Sequence, residues 1–193
     1  MSFCPVPRVP VPRPPLPLGR AARSCVGYPL AVTSPSPAVI RRATPADVDS
    51  LGRLGALLMR QHHVFDPARF MAPGSDPESG YGWFLGTQLE EPDAVLFVAE
   101  QDGRVVGYLY ATVEPRSWQE LREQSGFIHD LLVDERARGG GIGTRLLEAA
   151  LAWLRERGQS QVVLWSAAPN TAAQRLFERC GFRRTMVEMT RGL

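Results

Sequence analysis

Six residues, Arg138-Gly139-Gly140-Gly141-Ile142-Gly143, have the types and spacing of a phosphate-binding turn. They follow a run over 127–133 that reads as a buried strand. They precede Leu146, Leu147, Ala150, Leu151 and Leu154, whose spacing is that of a helix packed on one side. Glycines at such a junction let unhindered backbone N–H groups converge on one point, and the helix N-terminus adds a favourable dipole. The chemistry expected is the cradling of a pyrophosphate. A Walker A loop needs Gly-Lys-Ser/Thr, and a dinucleotide fingerprint needs a small residue where Leu146 stands, so kinase and dehydrogenase readings both fit poorly. The plain alternative, a tight loop without chemistry, suits an isolated glycine pair better than four glycines between a strand and a helix.

The elements that must position this loop can be read along the chain. Residues 39–43 form a short strand, and Thr44-Pro45-Ala46-Asp47 supplies a helix start with proline in the first turn. Val48, Leu51, Leu54, Leu57 and Leu58 then recur at helical spacing, predicting a helix to about Gln61. The Gly/Pro/Asp-rich stretch from His62 to Pro92, with a short helix around 81–89, is where a substrate wall is expected. Residues 94–100 and 105–111 flank an Asp102-Gly103 turn, the signature of a hairpin. After the glycine loop and its helix, closed near Gly158, the sequence predicts a strand over 161–167, a helix over 170–179 closed by Gly181, and a last strand within 182–190. The fold class is α/β.

Composition bounds the rest. A chain of 193 residues with 44% hydrophobic and 22% charged residues suits one catalytic domain, taken here as 38–193. Its formal net charge of +2 comes from scattered arginines, so no nucleic-acid footprint stands out. No segment approaches the roughly 20 apolar residues of a membrane span, so no membrane partner is expected. Cys4, Cys25 and Cys180 match neither a disulfide framework nor a zinc pattern, which points to a reducing cytoplasm and no metal. Residues 1–37 are a Pro/Arg-rich leader expected to be extended or disordered. A polyproline ligand, a tail without function and an overcalled start codon are its three readings.

The segment from Arg138 through Gly141 and Gly143 matches Gln/Arg-x-x-Gly-x-Gly/Ala and resembles the signature of the GNAT acetyltransferase superfamily. The resemblance extends from Val39-Ile40-Arg41-Arg42-Ala43-Thr44 through the hairpin to residues 170–182. It implies a mixed, mostly antiparallel sheet flanked by helices and splayed between the strands at 127–133 and 161–167, with acetyl-CoA in the opening. By the same resemblance, Leu131, Leu132 and Val133 offer backbone groups to the pantetheine arm. Arg138, Gly139, Gly140, Gly141, Ile142, Gly143 and Thr144 hold the pyrophosphate, Asn170 contacts the cofactor from the other side, and Phe177 packs near its sulfur.

Relatives resembling diamine acetyltransferases carry a Glu-Asp pair where this chain has His129-Asp130. His129, Asp130 and Glu114 are rival candidates for the base. Strand alternation puts His129 and Asp130 on opposite faces. Where many relatives have a tyrosine as acid, this chain has Phe177, so Tyr81, Tyr108, Tyr110 or water must serve, or the thiolate leaves unassisted. His62 and His63, with Asp66 and Arg69, read as a polar loop face after the first helix rather than a metal site. Trp83, Phe84, Trp118 and Trp165 read as core or acceptor wall, and Cys180 as buried structure. The expected function is N-acetyl transfer from acetyl-CoA to a small-molecule amine. The alternatives are a protein N-terminus or lysine as acceptor, or a non-catalytic acyl-CoA-binding module. A homodimer is an assembly the sequence admits.

Overall fold

A computed structural model describes residues 36–193. The expectations for the leader, Cys4 and Cys25 lie outside the described residues, save for the leader's last two positions. Strand β1 (Val39–Arg42) leads through a 3-10 turn at Pro45–Asp47 into helix α1 (Val48–Phe65), followed by α2 (Pro77–Gln88). Strands β2 (Ala94–Gln101), β3 (Arg104–Glu114) and β4 (Ser125–Val133) come next, then a 3-10 turn at Glu135–Ala137, α3 (Ile142–Glu156), β5 (Val162–Leu164) and α4 (Thr171–Arg179). The sheet runs β1-β2-β3-β4-β5, antiparallel except for the parallel β4–β5 pair.

Alternation along the strands builds one core on each face. Val95, Ala99, Leu109, Ala111 and Ile128 pack with Leu146, Leu147, Ala150 and Leu154 of α3. Leu96, Val98, Tyr108, Tyr110 and Leu132 pack with Leu51, Leu54 and Leu85 of α1 and α2. The β2–β3 hairpin turns on Asp102 and Gly103 at φ 51° and 74°, the two positive values that a tight two-residue turn requires. β1 is tied to the start of α1 by the buried Asp47 carboxylate, which accepts from Arg41 Nη1 at 2.7 Å and from the Thr44 N–H at 2.8 Å. The guanidinium hydrogen bond holds that carboxyl at about 2.

Three sequence expectations are corrected. α1 continues one turn past Gln61, so His62 and His63 lie inside it. The strand expected over 161–167 is only Val162–Leu164, because its pairing with β4 ends at Ile128. The strand expected within 182–190 does not form. β5 offers it an edge only three residues long, too short a template for a further strand, and Met186, Val187 and Met189 are exposed. Glu188 of this segment instead pairs with Arg69.

Helices α1 and α2 cross where glycines face each other. A Cβ on Gly52 would lie 2.3 Å from Glu78 O and 3.1 Å from Gly82 Cα, both backbone atoms. Gly52→Val should therefore destabilise the domain by about 3 kcal/mol or more. At Gly80, exposed in the same α2, an added Cβ meets nothing. Gly80→Ala should stabilise by about 0.5–1 kcal/mol. Urea midpoints of the two variants measure the contrast, and equal midpoints would contradict the close crossing.

Candidate active site

β4 carries one more residue than its partner. Tyr110 pairs with Asp130 but Ala111 pairs with Ile128, leaving His129 as the extra residue of a β-bulge. The alternation expected from sequence is thereby broken, and His129 and Asp130 share one face. His129 contacts Thr112 and Tyr110, while Asp130 contacts Tyr108, and these three alternate along the same side of β3.

The two neighbours have opposite surroundings. Asp130 is buried, and its Oδ2 accepts from Tyr81 Oη and Tyr108 Oη, each at 2.9 Å. Burial raises its pKa against the lowering effect of the two phenols. The Tyr81 ring reaches this carboxyl across Gly55, where a Cβ would lie 2.0 Å from the ring, so α2 is pinned to the sheet through a glycine on α1. The hydroxyls of Tyr81 and Tyr108 are held above the usual phenol range, chiefly by desolvation. Tyr110 donates to Gln88 Oε1 at 2.7 Å and is pushed up to about 12 by burial and nearby acids.

His129 is the accessible member, with 32% of its side chain exposed. Its ring is stacked between Tyr110 at 4.8 Å and Phe127 at 4.7 Å. Nε2 lies 2.7 Å from Thr112 Oγ1 and 3.3 Å from Glu114 Oε1. Crowding of the ring lowers its pKa, and the nearby Glu114 and Asp130 charges oppose that shift. The imidazole is therefore neutral near pH 7. Phe84 extends the row edge-on to Tyr110 at 6.0 Å, and Trp165 extends it edge-on to Phe127 at 5.2 Å. Phe84 and Trp165 are exposed, as are Trp83 and Trp118, so none of the four is core.

The bulge adjoins an opening in the sheet. β4 pairs with β5 only through Gly126, Phe127 and Ile128, and from His129 to Val133 no strand covers that edge among the described residues. At the end of β4 the chain turns into the glycine segment, where Gly139 and Gly141 adopt φ 88° and 74° and Gly141 caps α3 in the left-handed conformation. Among the described residues, the backbone N–H groups of 139–144 have no backbone acceptor. The first bond of the helix runs from Arg145 N to Gly141 O. Added Cβ atoms on Gly139, Gly140 and Gly141 would meet nothing within 4 Å, so the backbone there can be approached, whereas one on Gly143 would come 3.2 Å from Leu176 Cδ2. Ile142 is buried in the α3-side core and anchors the turn, and Arg138 Nε donates to Val133 O at 3.0 Å. A row of free donors at a helix N-terminus fits a pyrophosphate.

Comparison with known proteins gives this geometry its context. Residues 58–182 match the model of the Acetyltransferase (GNAT) family. This chain belongs to the GNAT acetyltransferase family. A mycothiol acetyltransferase of Cellulomonas flavigena is 37% identical over 102 residues, covering 51% of this chain and 29% of that protein. An N-alpha-acetyltransferase of Sulfurisphaera tokodaii is 28% identical over 154 residues, covering 77% of this chain and 81% of that one. The chain spans between 29% and 44% of the length of the first curated relatives it matches. An aminoglycoside N-acetyltransferase solved with CoA shares the fold at a TM-score of 0.63 and 17% identity, over 85% of this chain and 99% of that one.

Other GNAT positions read from the sequence are more dispersed. Leu131 and Val133 turn their side chains to the α3-side core and Leu132 to the other. Asn170 caps α4, its Oδ1 accepting from Ala173 N at 3.2 Å. Phe177 is buried in the α3-side core against Phe182, which leaves little of its surface for a ligand. His62 Nδ1 faces Leu58 O and His63 Nδ1 faces Phe70 O, so both serve the local fold. Among the described residues no group of three His, Cys, Asp or Glu could hold a metal, and no helix is long and apolar enough to cross a membrane. Cys180 is half-buried beside the α3-side core. Sequence reasoning missed Thr112 and Ser166, whose buried hydroxyl has no partner among the described residues. Two-residue spacing from Glu114 marks Thr112 as its neighbour on one strand face, a signal that the sequence does contain.

Because the carboxyl pKa of Asp130 is raised on folding, its contribution is fully present below the ordinary carboxylate value and is lost as pH rises through the folded one. Asp130→Asn keeps the shape and an acceptor for the tyrosines but removes this titration. Wild type should lose stability relative to the variant on raising pH above about 4, with a slope difference of at most about 1.4 kcal/mol per pH unit. Parallel urea-midpoint curves across pH would contradict a raised carboxyl.

Proposed function

We propose that this protein is an acetyl-CoA-dependent N-acetyltransferase that acetylates the amine of a small-molecule acceptor by direct attack. The row of unpaired N–H groups at 139–144, opening beside the uncovered edge of β4, carries the reading. The backbone of Gly139, Gly140, Gly141, Ile142, Gly143 and Thr144, with Arg138 beside it, would hold the pyrophosphate. The free edge at Leu131, Leu132 and Val133 would orient the pantetheine arm. Asn170 and the unpartnered Ser166 hydroxyl would approach from the side of β5 and α4. Bound acetyl-CoA supplies a thioester whose acetyl carbon takes the amine nitrogen as the C–S bond breaks.

An acceptor amine must reach that carbon without its extra proton. His129 suits this role because it lies on the open part of β4, is partly exposed, and has an imidazole that burial keeps neutral. Asp130 is committed to two phenols, and Glu114 lies against Thr112 and His129 rather than apart from them. Tyr81, Tyr108 and Tyr110 each hold a hydrogen bond, so water supplies the proton to the departing thiolate. The rings of Phe84, Tyr110, Phe127 and Trp165, with Glu114 at their margin, suit a cationic amine. The Sulfurisphaera tokodaii relative, matched over most of its length, makes a peptide N-terminus the second acceptor class to test.

Gly140 tests the loop better than Gly141, because its φ is ordinary and its Cβ position is open, whereas any side chain at Gly141 is strained. Gly140→Glu should weaken acetyl-CoA binding by about 100-fold or more, measured by calorimetry, with Gly140→Ala as the folding control. Unchanged affinity would sink the loop assignment. Over a panel of small amines and peptides, released thiol should appear with at least one class. Binding without turnover on any of them would favour an acyl-CoA-binding module. With wild type, kcat/KM should fall as pH drops through an apparent pKa below the ordinary histidine value of about 6.5. His129→Gln should remove that limb.

A further inference from the structure

The hydroxyl of Thr112 joins two groups that the sequence sets against each other as rivals. Its Oγ1 lies 2.8 Å from Glu114 Oε1 and 2.7 Å from His129 Nε2, and the carboxylate and the ring nitrogen are themselves 3.3 Å apart. A threonine hydroxyl has one proton to give. If it went to His129, that contact would hold the proton, but the Glu114 oxygen would face the Thr112 oxygen and the bare ring nitrogen with no proton on either of its own contacts. If it goes to Glu114, Nε2–H donates to Thr112 Oγ1 and both short contacts have a proton between their atoms. The second arrangement leaves the lone pair of the ring on Nδ1, which has no hydrogen-bond partner among the described residues. Tyr110 and Phe127 cover the two ring faces, so the ring cannot turn about Cβ–Cγ, which would carry Nε2 away from Thr112, without passing through a state that breaks both stacks.

We propose that Thr112 and Glu114 are positioning residues that fix His129 as the Nε2–H tautomer, so that Nδ1 is the atom that takes the proton from the acceptor ammonium. The inference rests on the transferase reading for the identity of the proton donor, but the tautomer itself does not. The step is a single proton transfer: the N–H bond of the ammonium breaks, an Nδ1–H bond forms, and the amine keeps its electron pair for attack. The imidazolium formed has its positive charge beside Glu114, the nearest carboxylate on β3. The other charged or titratable groups around the ring are Asp130 on β4, Tyr110 on β3, and Arg122, whose guanidinium sits 5.9 Å from the Phe127 ring. Nothing in the sequence alone assigns Thr112 a role.

Nitrogen-15 NMR of the imidazole in the full chain reads the tautomer directly, without substrate. Wild type should show Nε2 protonated and Nδ1 bare at neutral pH. Thr112→Val, close in shape but without the hydroxyl, should lose that preference, and Thr112→Ser should restore it. In transfer assays Thr112→Val should lower kcat/KM for the acceptor by about 10-fold to 100-fold and shift the acidic limb, with acetyl-CoA affinity unchanged. A wild-type spectrum with Nδ1 protonated would overturn the proposal. So would a Thr112→Val protein whose tautomer and pH profile both match wild type. If no amine is acetylated but the Nε2–H tautomer is present and depends on the Thr112 hydroxyl, the transferase reading fails and the positioning role stands. If transfer occurs and His129→Gln leaves the acidic limb in place, proton acceptance by Nδ1 fails.

Discussion

One inserted residue in β4 governs the chemistry of this fold. Before the bulge, Phe127 lies opposite Thr112 while Ile128 packs on the α3 side, and after it the even-numbered Asp130 and Leu132 take the side of Tyr108 and Tyr110. If β4 instead kept strict alternation through His129, Asp130 would point among Leu109, Ala111, Ile128 and Leu146, where no donor waits for a carboxylate. Burying an unpaired ionisable group there would cost several kcal/mol. With the insertion, Asp130 meets Tyr81 and Tyr108, and His129 stands beside it on the same side. The bulge also comes one residue after β5 leaves the sheet, so the change of face coincides with the opening.

The parting of β4 and β5 is the second constraint, and it depends on how the chain leaves each strand. β4 ends in a turn that α3 must leave at once, and the left-handed Gly141 with the buried Ile142 fixes that departure. β5 ends after three residues, and α4 then packs Leu176 against the first turn of α3, where an added Cβ on Gly143 would approach Leu176 Cδ2 to 3.2 Å. The helices therefore meet near the glycine turn while the strands above them separate, which leaves backbone donors of β4 and of the loop free on one side.

Local signals were legible in the sequence. Asp102-Gly103 dictated a turn, the apolar spacing of α1 and α3 dictated their buried faces, and the glycine run at a strand-to-helix junction marked a cradle. Features that depend on partners distant in the chain were not legible. A bulge leaves no mark in composition, so strict alternation put His129 and Asp130 on opposite faces. The apolar residues at 186, 187 and 189 suggested a strand, but a strand requires an edge, and the edge of β5 is three residues long. Thr112 carries no chemical signature until its register opposite Phe127, close to the bulge, brings it to His129.

The two ionisable residues at the bulge divide the work by burial. Asp130, fully enclosed, holds α2 to the sheet through Tyr81, and its proton affinity rises because desolvation outweighs the two phenols. His129, open on part of its ring, has its proton affinity lowered by the same crowding, so near neutral pH it can receive a proton rather than hold one. Exchanging the two would fail on both counts. A histidine between two phenols would have to find room for a larger ring under Tyr81, whose path is already limited by Gly55. A carboxylate between the faces of Tyr110 and Phe127 would lose both stacks and meet Glu114 as a like charge. The order histidine then aspartate is thus the one that the bulge, the glycine under Tyr81 and the acid at the end of β3 jointly allow.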